Sequence, residues 1–441
     1  MFSFNTKLSI LRAILTKKAP YYVQFYINGR CNLKCKQCNI VETNSGIGEL
    51  TVEQVRVVAQ NLKKINGGIV LLTGGEPFLR RDLHLVAKEL LDVGLDVRLQ
   101  TAGLATDQQL QQCYDVGCRD INISLDSLDP NKQDYINSVP GTWHKAIDAI
   151  ERVSRIFHGD SAICSFGCVL SRLNYREIPK ILEFATKIGW HLSLVPVHIA
   201  KKGERFGFRS YETDLAFKPE DIPDLIKTIE RLIEMKRKGY LLFDAESYLW
   251  SAVEFAKGLP PTWRRFNNGI CDSPNLYFAI RPNGDFTTCC DYVLNKPPNL
   301  SDPDFHKLYH DGTVHKAALP IVKNCGGCHY GSYPEVTLSI RDKKAFWQRV
   351  KLTLLGLSEP MMKLEDGEGE KLAESLRDSA PDIYGSDSWL PPEVAKKLET
   401  WRDPKGRREL VEVDNQKRIE EGRIRKRNLV KEEIRSGKEQ D

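Results

Sequence analysis

The sequence has neither a long hydrophobic run nor a large net charge. No apolar stretch approaches the roughly 20 residues that a membrane-spanning helix requires. The 64 basic and 59 acidic residues leave a net charge of only +5, which by itself favours binding of neither nucleic acid nor a membrane surface. The chain has 441 residues, of which 41% are hydrophobic, so it is long and apolar enough to form two or three domains with substantial cores.

The start of the chain lacks the features of a secretory signal. A signal carries positive charge before its apolar run and a cleavage site of small residues after it. Here two lysines follow the apolar positions, which recur at helical spacing at Leu8, Leu11, Ile14 and Leu15. Residues 1–20 therefore predict a short helix that packs against a domain, with an interfacial membrane helix as the alternative.

The twelve cysteines do not have the distribution of a secreted disulfide framework, which is typical of much shorter chains. Several of them are grouped at the spacing of metal ligands, so we expect a reduced, oxygen-sensitive, cytoplasmic protein. Four others fall in predicted helical or strand segments and are interpreted as small buried residues rather than ligands. These four are Cys113, Cys118, Cys164 and Cys168.

Between residues 21 and 200, short β-rich runs alternate with amphipathic helical stretches. The predicted strands are 22–28, 68–73, 96–101, 120–125, 162–170 and 191–197. The helical stretches between them are 51–65, 81–93, 107–116, 143–157 and 175–188. Such strict alternation of strand and helix indicates an α/β fold with a parallel sheet and right-handed crossovers.

Two motifs directly follow the first two predicted strands. The first is a Cys-x3-Cys-x2-Cys run formed by Cys31, Cys35 and Cys38. Clustered thiolates in a loop without histidine suit an iron–sulfur cluster better than zinc, and three thiolates on a four-iron cluster leave one iron open for a small chelating ligand. In the second motif, glycines let the backbone approach a ligand, proline stiffens the turn and Glu76 could hold a charged amino group. The second motif consists of Gly74, Gly75, Glu76 and Pro77.

The two motifs together resemble those of the radical S-adenosylmethionine (radical SAM) family. In that family the open iron is chelated by the amino and carboxylate groups of SAM, and the second motif holds the amino group. The resemblance implies a partial (β/α)6 TIM-type barrel and a [4Fe–4S] cluster on the three cysteines. It also implies reductive cleavage of SAM to a 5′-deoxyadenosyl radical, with electrons from a flavodoxin or ferredoxin. One departure is Gln37, which stands where the family usually has an aromatic residue.

The resemblance implies further SAM contacts at the ends of later strands. Thr101 lies where relatives often read Thr-Asn-Gly, and Ser124 begins a Ser-Leu-Asp stretch similar to the one that meets the ribose. Taken alone, these residues are more typical of loops, caps or the core, and their shared location at strand ends is what favours a functional role. The SAM contacts expected in addition to residues 74–77 are Thr101, Ser124, Asp126, Asn174 and Val195.

A second set of cysteines begins at Cys271. Residues 276–281 and 285–288 read as two strands joined by an Asn-Gly turn, and such a hairpin would bring Cys271 and Cys289 together. Further on, Cys325 and Cys328 form a tight Cys-x2-Cys loop. Four thiolates can therefore be gathered at one centre.

The spacing of this second set resembles the auxiliary-cluster region of SPASM and twitch domains. No cysteine follows Cys328, so the resemblance is to the shorter twitch type, with one auxiliary [4Fe–4S] cluster on four cysteines. Cys290 is adjacent to Cys289 and could replace it as a ligand. A structural zinc bound by the four cysteines is the competing interpretation.

These observations predict five segments. They are an N-terminal helix at 1–20, a radical SAM core barrel at 21–200, a helical bridge at 201–260, a small α+β twitch-like domain at 261–335 and a helical C-terminal extension at 336–441. The extension is densely charged from residue 404, which is typical of a solvated helix or a partly disordered tail.

A cluster with four protein thiolates has no open iron, so an electron-relay role suits it better than substrate coordination. A substrate radical held nearby could lose an electron to it. We therefore predict an oxidoreductase-type biosynthetic enzyme that modifies a peptide or a natural-product or cofactor precursor. The alternatives are a redox-neutral epimerase or rearrangement enzyme, an RNA-modifying enzyme that the basic tail weakly permits, and a non-enzymatic iron–sulfur protein. No catalytic acid or base can be named.

Overall fold

The computed structural model describes residues 2–378, apart from residues 45, 160–161, 201–207 and 357–360. The strands in this part of the chain are β1 Tyr22–Tyr26, β2 Ile69–Thr73, β3 Asp96–Thr101, β4 Asp120–Ser124, β5 Ile163–Leu170, β6 His191–Pro196, β7 Tyr277–Ile280 and β8 Phe286–Thr287. The α-helices are α1 Phe4–Thr16, α2 Ile40–Asn44, α3 Val52–Lys64, α4 Leu83–Asp92, α5 Asp107–Asp115, α6 Pro130–Asn137, α7 Thr142–Ile156, α8 Ile178–Lys187, α9 Ile222–Arg237, α10 Glu246–Ala256, α11 Phe305–His310, α12 Thr313–Asn324, α13 Ser332–Arg341, α14 Lys343–Gly356 and α15 Glu368–Asp378. None of the helices within the described ranges is long and apolar enough to cross a bilayer.

Strands β1 to β6 form the parallel part of one sheet and pair in chain order. This confirms the predicted partial (β/α)6 barrel, and the strand bounds differ from the predicted ones by two residues at most. The helices between the strands pack on side chains such as Val23 and Phe25 in one continuous core. Helix α3 begins where expected because the Thr51 side chain and the Gln54 side chain cap each other's backbone amides.

The predicted hairpin of the second cysteine set is present, and it extends the barrel sheet. Strand β7 pairs in parallel with β1, with Tyr22 opposite Tyr277, and β8 pairs antiparallel with β7. The order of the complete sheet is β6-β5-β4-β3-β2-β1-β7-β8. The second cysteine set is therefore anchored beside the strand that leads into the first.

Helix α13 follows the Cys-x2-Cys loop and packs against one face of β1. The Tyr333 hydroxyl donates a hydrogen bond to Gln24 Oε1 (2.6 Å), and the Tyr333 ring stacks on Tyr277 with 4.8 Å between ring centroids. Val336, one turn further along α13, is buried in the same cluster as Tyr22. The helix runs across the segment boundary predicted at 335, so the second cysteine set and the extension share one packed element.

Helix α6 has no counterpart among the predicted segments. It begins at Asp129, whose side chain accepts hydrogen bonds from the amides of Asn131 and Lys132. Its residues from Lys132 to Asn137 are all buried, polar and apolar alike. Because the helix has no solvated face, its sequence lacks the alternation of apolar and polar residues by which amphipathic helices are predicted.

Helix α1 confirms the predicted N-terminal helix, but it packs through an unexpected face. Ser3 caps the helix by accepting a hydrogen bond from the Thr6 amide. The side chains that the helix buries are Thr6, Ser9 and Ala13. Of the apolar residues expected to make the contact, Ile14 is partly buried against the protein, whereas Leu8, Leu11 and Leu15 are exposed to solvent.

The last described segment, residues 361–378, lies along helices α7 and α8. The carboxylate of Glu151 on α7 accepts hydrogen bonds from the amides of Gly367 (3.0 Å) and Gly369 (2.9 Å) at the start of α15. One turn later, Arg155 donates a hydrogen bond to the carbonyl of Leu364 (2.7 Å). The charged tail predicted from residue 404 lies outside the described residues.

Glu151→Ala should destabilise the protein, because it leaves the buried amide of Gly369 without its acceptor. We expect a loss of about 1–3 kcal/mol in the free energy of unfolding, together with faster proteolysis near residue 367. Urea unfolding and limited proteolysis would measure the two effects. Glu183→Ala removes an exposed carboxylate from α8 and is the control, for which we expect almost no change. Equal behaviour of the two variants would contradict the role of Glu151.

Candidate cofactor sites

The first cysteine loop connects β1 to α2 and rests on helix α6. The amide of Lys34 donates a hydrogen bond to the carbonyl of Asn137 (3.2 Å), and the amide of Lys36 donates one to Ile136 (2.8 Å). The Cys35 thiol donates to the side-chain oxygen of Asn137 (3.3 Å). The unpredicted helix α6 is thus the support that fixes the loop.

The three thiols of this loop lie close enough to interact. Burial raises the pKa of Cys35 well above its usual range, and the neighbouring Cys31 and Cys38 raise it further. Burial also raises the pKa of Cys38 to about 11, against the effect of a hydrogen bond from the Ile40 amide. The Leu33 amide donates to the Cys31 sulfur (3.4 Å). At neutral pH the metal-free Cys35 and Cys38 are protonated, so metal binding must displace their protons.

The backbone of the Gly-Gly-Glu-Pro motif is packed directly on the start of the cysteine loop. A Cβ atom at Gly75 would lie 1.8 Å from the carbonyl oxygen of Arg30, so only glycine fits. The next amide, that of Glu76, donates a hydrogen bond to the same carbonyl (2.7 Å). The Asn28 side chain completes the connection. Its oxygen accepts from the amides of Gly75 (3.2 Å) and Arg30 (3.3 Å), and its nitrogen donates to the Glu76 carbonyl (2.9 Å).

The carboxylate of Glu76 is buried at the centre of the expected SAM site. It accepts hydrogen bonds from the Thr101 hydroxyl (3.0 Å), the Ala102 amide (2.8 Å) and the Phe78 amide (3.0 Å). Burial raises the pKa of Glu76 to about 7, although these donors act in the opposite direction. The structure therefore brings Glu76 and Thr101 together, and a further hydrogen-bond donor on a bound cofactor would favour the charged carboxylate.

Asp126 and Asn174 also lie together, but their polar atoms are engaged within the protein. Asp126 accepts hydrogen bonds from the Gln37 side chain (2.7 Å) and the Val169 amide (2.7 Å), and burial raises its pKa to about 6. Asn174 donates to the carbonyls of Asp126 and Val169, both at 2.9 Å. Ser124 is half-buried at the end of β4. The SAM contacts of all three remain predictions.

Val195 lies on β6 against the N-terminus of α13. A Cβ atom at Gly331, which precedes that helix, would lie 2.9 Å from Val195 Cγ2. Val195 is partly buried beside the cluster of tyrosines around β1 and α13. Its contact with adenine remains a prediction.

The four sulfurs of the second set are held by backbone amides two residues further on. The Gly327 amide donates to the Cys325 sulfur (3.2 Å), and the Tyr330 amide donates to Cys328. In the same way, the Ser273 amide donates a hydrogen bond to the Cys271 sulfur, and the Asp291 amide donates one to the Cys289 sulfur. Amide donors at this spacing stabilise thiolates, and they recur in the first loop from Leu33 and Ile40.

The thiols of the second set also interact with one another. Burial raises the pKa of Cys328, and Cys289 and Cys271 raise it further. Burial raises the pKa of Cys271 to about 11, and Cys325 adds to the effect. Among the described residues, no three cysteine, histidine, aspartate or glutamate side chains converge tightly enough to bind one metal ion. A structural zinc on the four cysteines stays the competing interpretation.

Cys290 is placed differently from Cys289. Both residues follow strand β8, which ends at Thr287. Cys289 accepts hydrogen bonds from the amides of Asp291 and Tyr292. Cys290 instead contacts the small apolar cluster of Tyr26, Ile40 and Ala279, which Cys38 also contacts.

Sequence analysis missed the residues that connect these sites. Asn28 ties the cysteine loop to the Gly-Gly-Glu-Pro motif, and Tyr26 lies between the two cysteine sets. Burial raises the pKa of Tyr26, and Cys290, Cys289 and Cys38 add to the effect. Their position could have indicated this role, because both residues lie at the carboxyl end of the first strand, where parallel barrels have their active sites.

Residues 25–185 match the sequence model of the Radical SAM superfamily. An AdoMet-dependent heme synthase from Methanosarcina barkeri is 27% identical over 205 residues, which are 45% of this chain and 58% of that protein. A probable GTP 3',8-cyclase from Sulfurisphaera tokodaii is 30% identical over 213 residues, which are 48% of this chain and 64% of that protein. The chain therefore spans less than two thirds of the length of either relative.

The fold is similar to that of two solved structures. Streptococcus suis SuiB bound to precursor peptide SuiA has a TM-score of 0.51 at 13% identity, and the match covers 70% of this chain and 69% of SuiB. Native anSMEcpe with bound AdoMet has a TM-score of 0.50 at 15% identity, and the match covers 81% of this chain and 99% of that one. At such low identities the similarity concerns the fold, and it extends beyond residues 25–185.

Gly75→Ala should abolish cofactor loading at the first site. The added Cβ cannot fit against the Arg30 carbonyl, so the cysteine loop and the Gly-Gly-Glu-Pro motif must separate. We expect the variant to bind about four fewer irons after anaerobic reconstitution and to lose measurable SAM binding. Gly48→Ala is the matched control, because a Cβ there meets nothing within 4 Å. Normal iron content in Gly75→Ala would contradict this account.

The affinity for SAM should fall as the pH drops below about 7. Glu76 has a raised pKa of about 7, so its carboxylate is present above that pH and is lost as the pH falls through it. We expect the dissociation constant of SAM to rise by up to about tenfold per pH unit on the acidic side. Equilibrium dialysis against cluster-loaded protein would measure it.

Glu76→Gln tests whether this carboxylate is responsible. The variant should bind SAM at least about tenfold more weakly at pH 8, without the acidic slope. Glu183→Gln, which changes an exposed carboxylate on α8, should retain both the affinity and the slope. An unchanged slope in Glu76→Gln would assign it to another group.

Proposed function

We propose that the chain, whose residues 25–185 match the Radical SAM superfamily, is a two-cluster enzyme of this superfamily that oxidises a peptide or a cofactor precursor. When bound, the [4Fe–4S] cluster and SAM of this superfamily supply a 5′-deoxyadenosyl radical that abstracts a hydrogen atom from substrate. The residues proposed to hold this cluster are Cys31, Cys35 and Cys38. Glu76 would bind the amino group of SAM, with Thr101 orienting its carboxylate.

The second cysteine set would hold the auxiliary [4Fe–4S] cluster. Its proposed ligands are Cys271, Cys289, Cys325 and Cys328. Cys289 is preferred to Cys290 because two backbone amides donate to its sulfur, as expected for a thiolate ligand. With four protein ligands this site has no open iron, so its role is to accept an electron rather than to bind substrate.

The position of Tyr26 is the main support for an oxidative function. The cluster of Tyr26, Ile40 and Ala279 is contacted by Cys38 from the first set and by Cys290, the neighbour of Cys289, from the second. A substrate held between the two sets is therefore close to both. Oxidation of a substrate radical needs an electron acceptor within short range, and a cluster on the second cysteine set would be that acceptor.

The substrate class is proposed from the relatives. SuiB, which shares the fold, is bound to a precursor peptide in its structure, and the Methanosarcina relative is a heme synthase. A peptide or a cofactor precursor therefore remains the proposed substrate. A flavodoxin or ferredoxin is the proposed reductant. Because the cysteines must stay reduced to bind iron, we place the protein in the cytoplasm.

A redox-neutral reaction is the second candidate. The relatives named GTP 3',8-cyclase are named for ring formation rather than for oxidation. In such a reaction the second cluster would serve structure or re-reduction. The RNA-modifying alternative rests on the basic tail from residue 404, which lies outside the described residues.

Removing each cysteine set separately should distinguish SAM cleavage, which needs the first set, from substrate oxidation, which needs both. We expect about eight irons in the reconstituted parent and about four in a Cys31→Ala/Cys35→Ala/Cys38→Ala variant, which should form no 5′-deoxyadenosine with dithionite and SAM. A variant with alanine at all four ligands of the second set should also bind about four irons but still form 5′-deoxyadenosine. With substrate, only the parent should yield a product lighter by two hydrogen atoms.

Cys290→Ala is the matched control, because it removes a thiol from the same loop without removing a proposed ligand. It should keep about eight irons. Four irons in the parent and none in the first-set variant would show that the second set binds no cluster. A product of unchanged mass would favour the redox-neutral candidate.

A further inference from the structure

Helix α1 buries small and polar side chains against the protein and exposes most of its large apolar ones. Toward the barrel it presents Thr6 and Ser9, which donate hydrogen bonds to the carbonyls of Gly68 (3.0 Å) and Asn66 (2.5 Å). Both side chains are buried, as is Ala13 one turn further along. The helix is therefore docked through these short side chains together with Ile10 and Ile14, which are partly buried beside them, and its other large apolar side chains lie outside this contact.

These other large apolar side chains point to solvent instead. Phe4 is 74% exposed, Leu8 47%, Leu11 51% and Leu15 74%. Their spacing of four, three and four residues puts them on one face of the helix. Single exposed apolar residues are ordinary on a protein surface, but a continuous stripe along a helix of 13 residues indicates that another apolar surface covers it.

The charged side chains of residues 1–20 are all of one sign. Residues 1–20 contain no acidic residue, and they contain Lys7, Arg12, Lys17 and Lys18. Lys7, Arg12 and Lys18 are exposed. Arg12 contacts the side chain of Asn66, and helix α3 adds two further exposed lysines just before that residue, at 63 and 64.

We propose that α1 is an interfacial helix that docks the protein on an anionic phospholipid surface. The apolar stripe would enter the boundary between head groups and acyl chains, and the surrounding cations would lie at the level of the lipid phosphates. A second copy of this chain does not fit as the occupant, because two such faces would bring like charges together. An acidic amphipathic protein surface would also have complementary charge, and vesicle sedimentation distinguishes it from lipid.

The position of α1 on the barrel is compatible with this role. Ser3 and Thr6 bond to Asp96 and Gly68, which stand at or just before the amino ends of β3 and β2. The cofactor motifs follow the carboxyl ends of the same sheet. A membrane bound at α1 would therefore lie at the opposite end of the barrel from the proposed active site, which would stay open to substrate and reductant.

The test is sedimentation of the full chain with vesicles of defined lipid composition. We expect little binding to phosphatidylcholine alone and strong binding when about one third of the lipid is phosphatidylglycerol. Raising the salt from about 0.1 M to about 1 M should weaken that binding, because it screens the cations. Binding that ignores lipid charge, or no binding to either vesicle, would overturn the proposal.

Two variants and a matched control identify the surface. Leu8→Ser/Leu11→Ser should lower the partition coefficient onto anionic vesicles at least tenfold, and Lys7→Gln/Lys18→Gln should reduce its dependence on lipid charge. Leu85→Ser/Leu259→Ser changes two leucines of similar exposure outside α1 and should bind like the parent.

Melting temperature and iron content, measured for each variant, should equal those of the parent because all substituted side chains are exposed. Equal vesicle binding by the Leu8→Ser/Leu11→Ser variant would exclude α1 as the docking surface. An α1-dependent dimer, or binding to an acidic protein with none to vesicles, would replace the lipid surface by another partner.

Discussion

The close packing of Gly75 against the Arg30 carbonyl is the constraint on which the first cofactor site depends. It joins two loops from different strands without any intervening side chain, and Asn28 fixes the contact with three further hydrogen bonds. Because backbone meets backbone, the distance between the cysteine loop and Glu76 cannot vary with rotamer changes. Together with the hydrogen bonds to the Glu76 carboxylate, this contact would hold the proposed cluster ligands and that carboxylate at one separation, as two groups that bind the same small molecule require.

Strand β1 extends the same constraint to the second site. It hydrogen-bonds β2 on one side and β7 on the other, so one strand sets the register of both cysteine sets. The side chains of Gln24 and Tyr26 connect the sets, since Gln24 accepts a hydrogen bond from Tyr333 on α13 and Tyr26 contacts thiols of both. The hairpin of the second set is therefore an extension of the barrel sheet. Because electron transfer falls steeply with distance, a shared strand that keeps two redox sites close favours transfer between them.

Much of this architecture could be predicted, and the exceptions have a common physical origin. Strands with neighbouring amphipathic helices, and ligands close together in sequence, leave local patterns, so the barrel and both cysteine sets were predicted from the sequence. The bond between Gln37 and Asp126 and the bonds of Asn28 to Gly75 and Glu76 join residues far apart in sequence and leave no local pattern. Helix α6 is buried on every side and has no amphipathic period. For α1, periodicity revealed the apolar face but not that the opposite face meets the protein.

Burial explains how the sites can be stable before their cofactors arrive. In the absence of metal, burial raises the pKa of Cys35, Cys38 and Glu76, so the thiols are neutral and the carboxylate is partly so at physiological pH. An uncompensated buried charge would cost several kcal/mol, on the order of the whole stability of a domain. Charge on the thiols would therefore form together with a bound counter-ion. In the proposed site, iron would replace the thiol protons, and a hydrogen-bond donor on the bound cofactor would favour the charged form of Glu76. Burial thus keeps these groups largely neutral in the metal-free protein, and it would also strengthen their interactions with a bound cofactor. The stability of the metal-free site and its affinity for cofactor would therefore have the same cause.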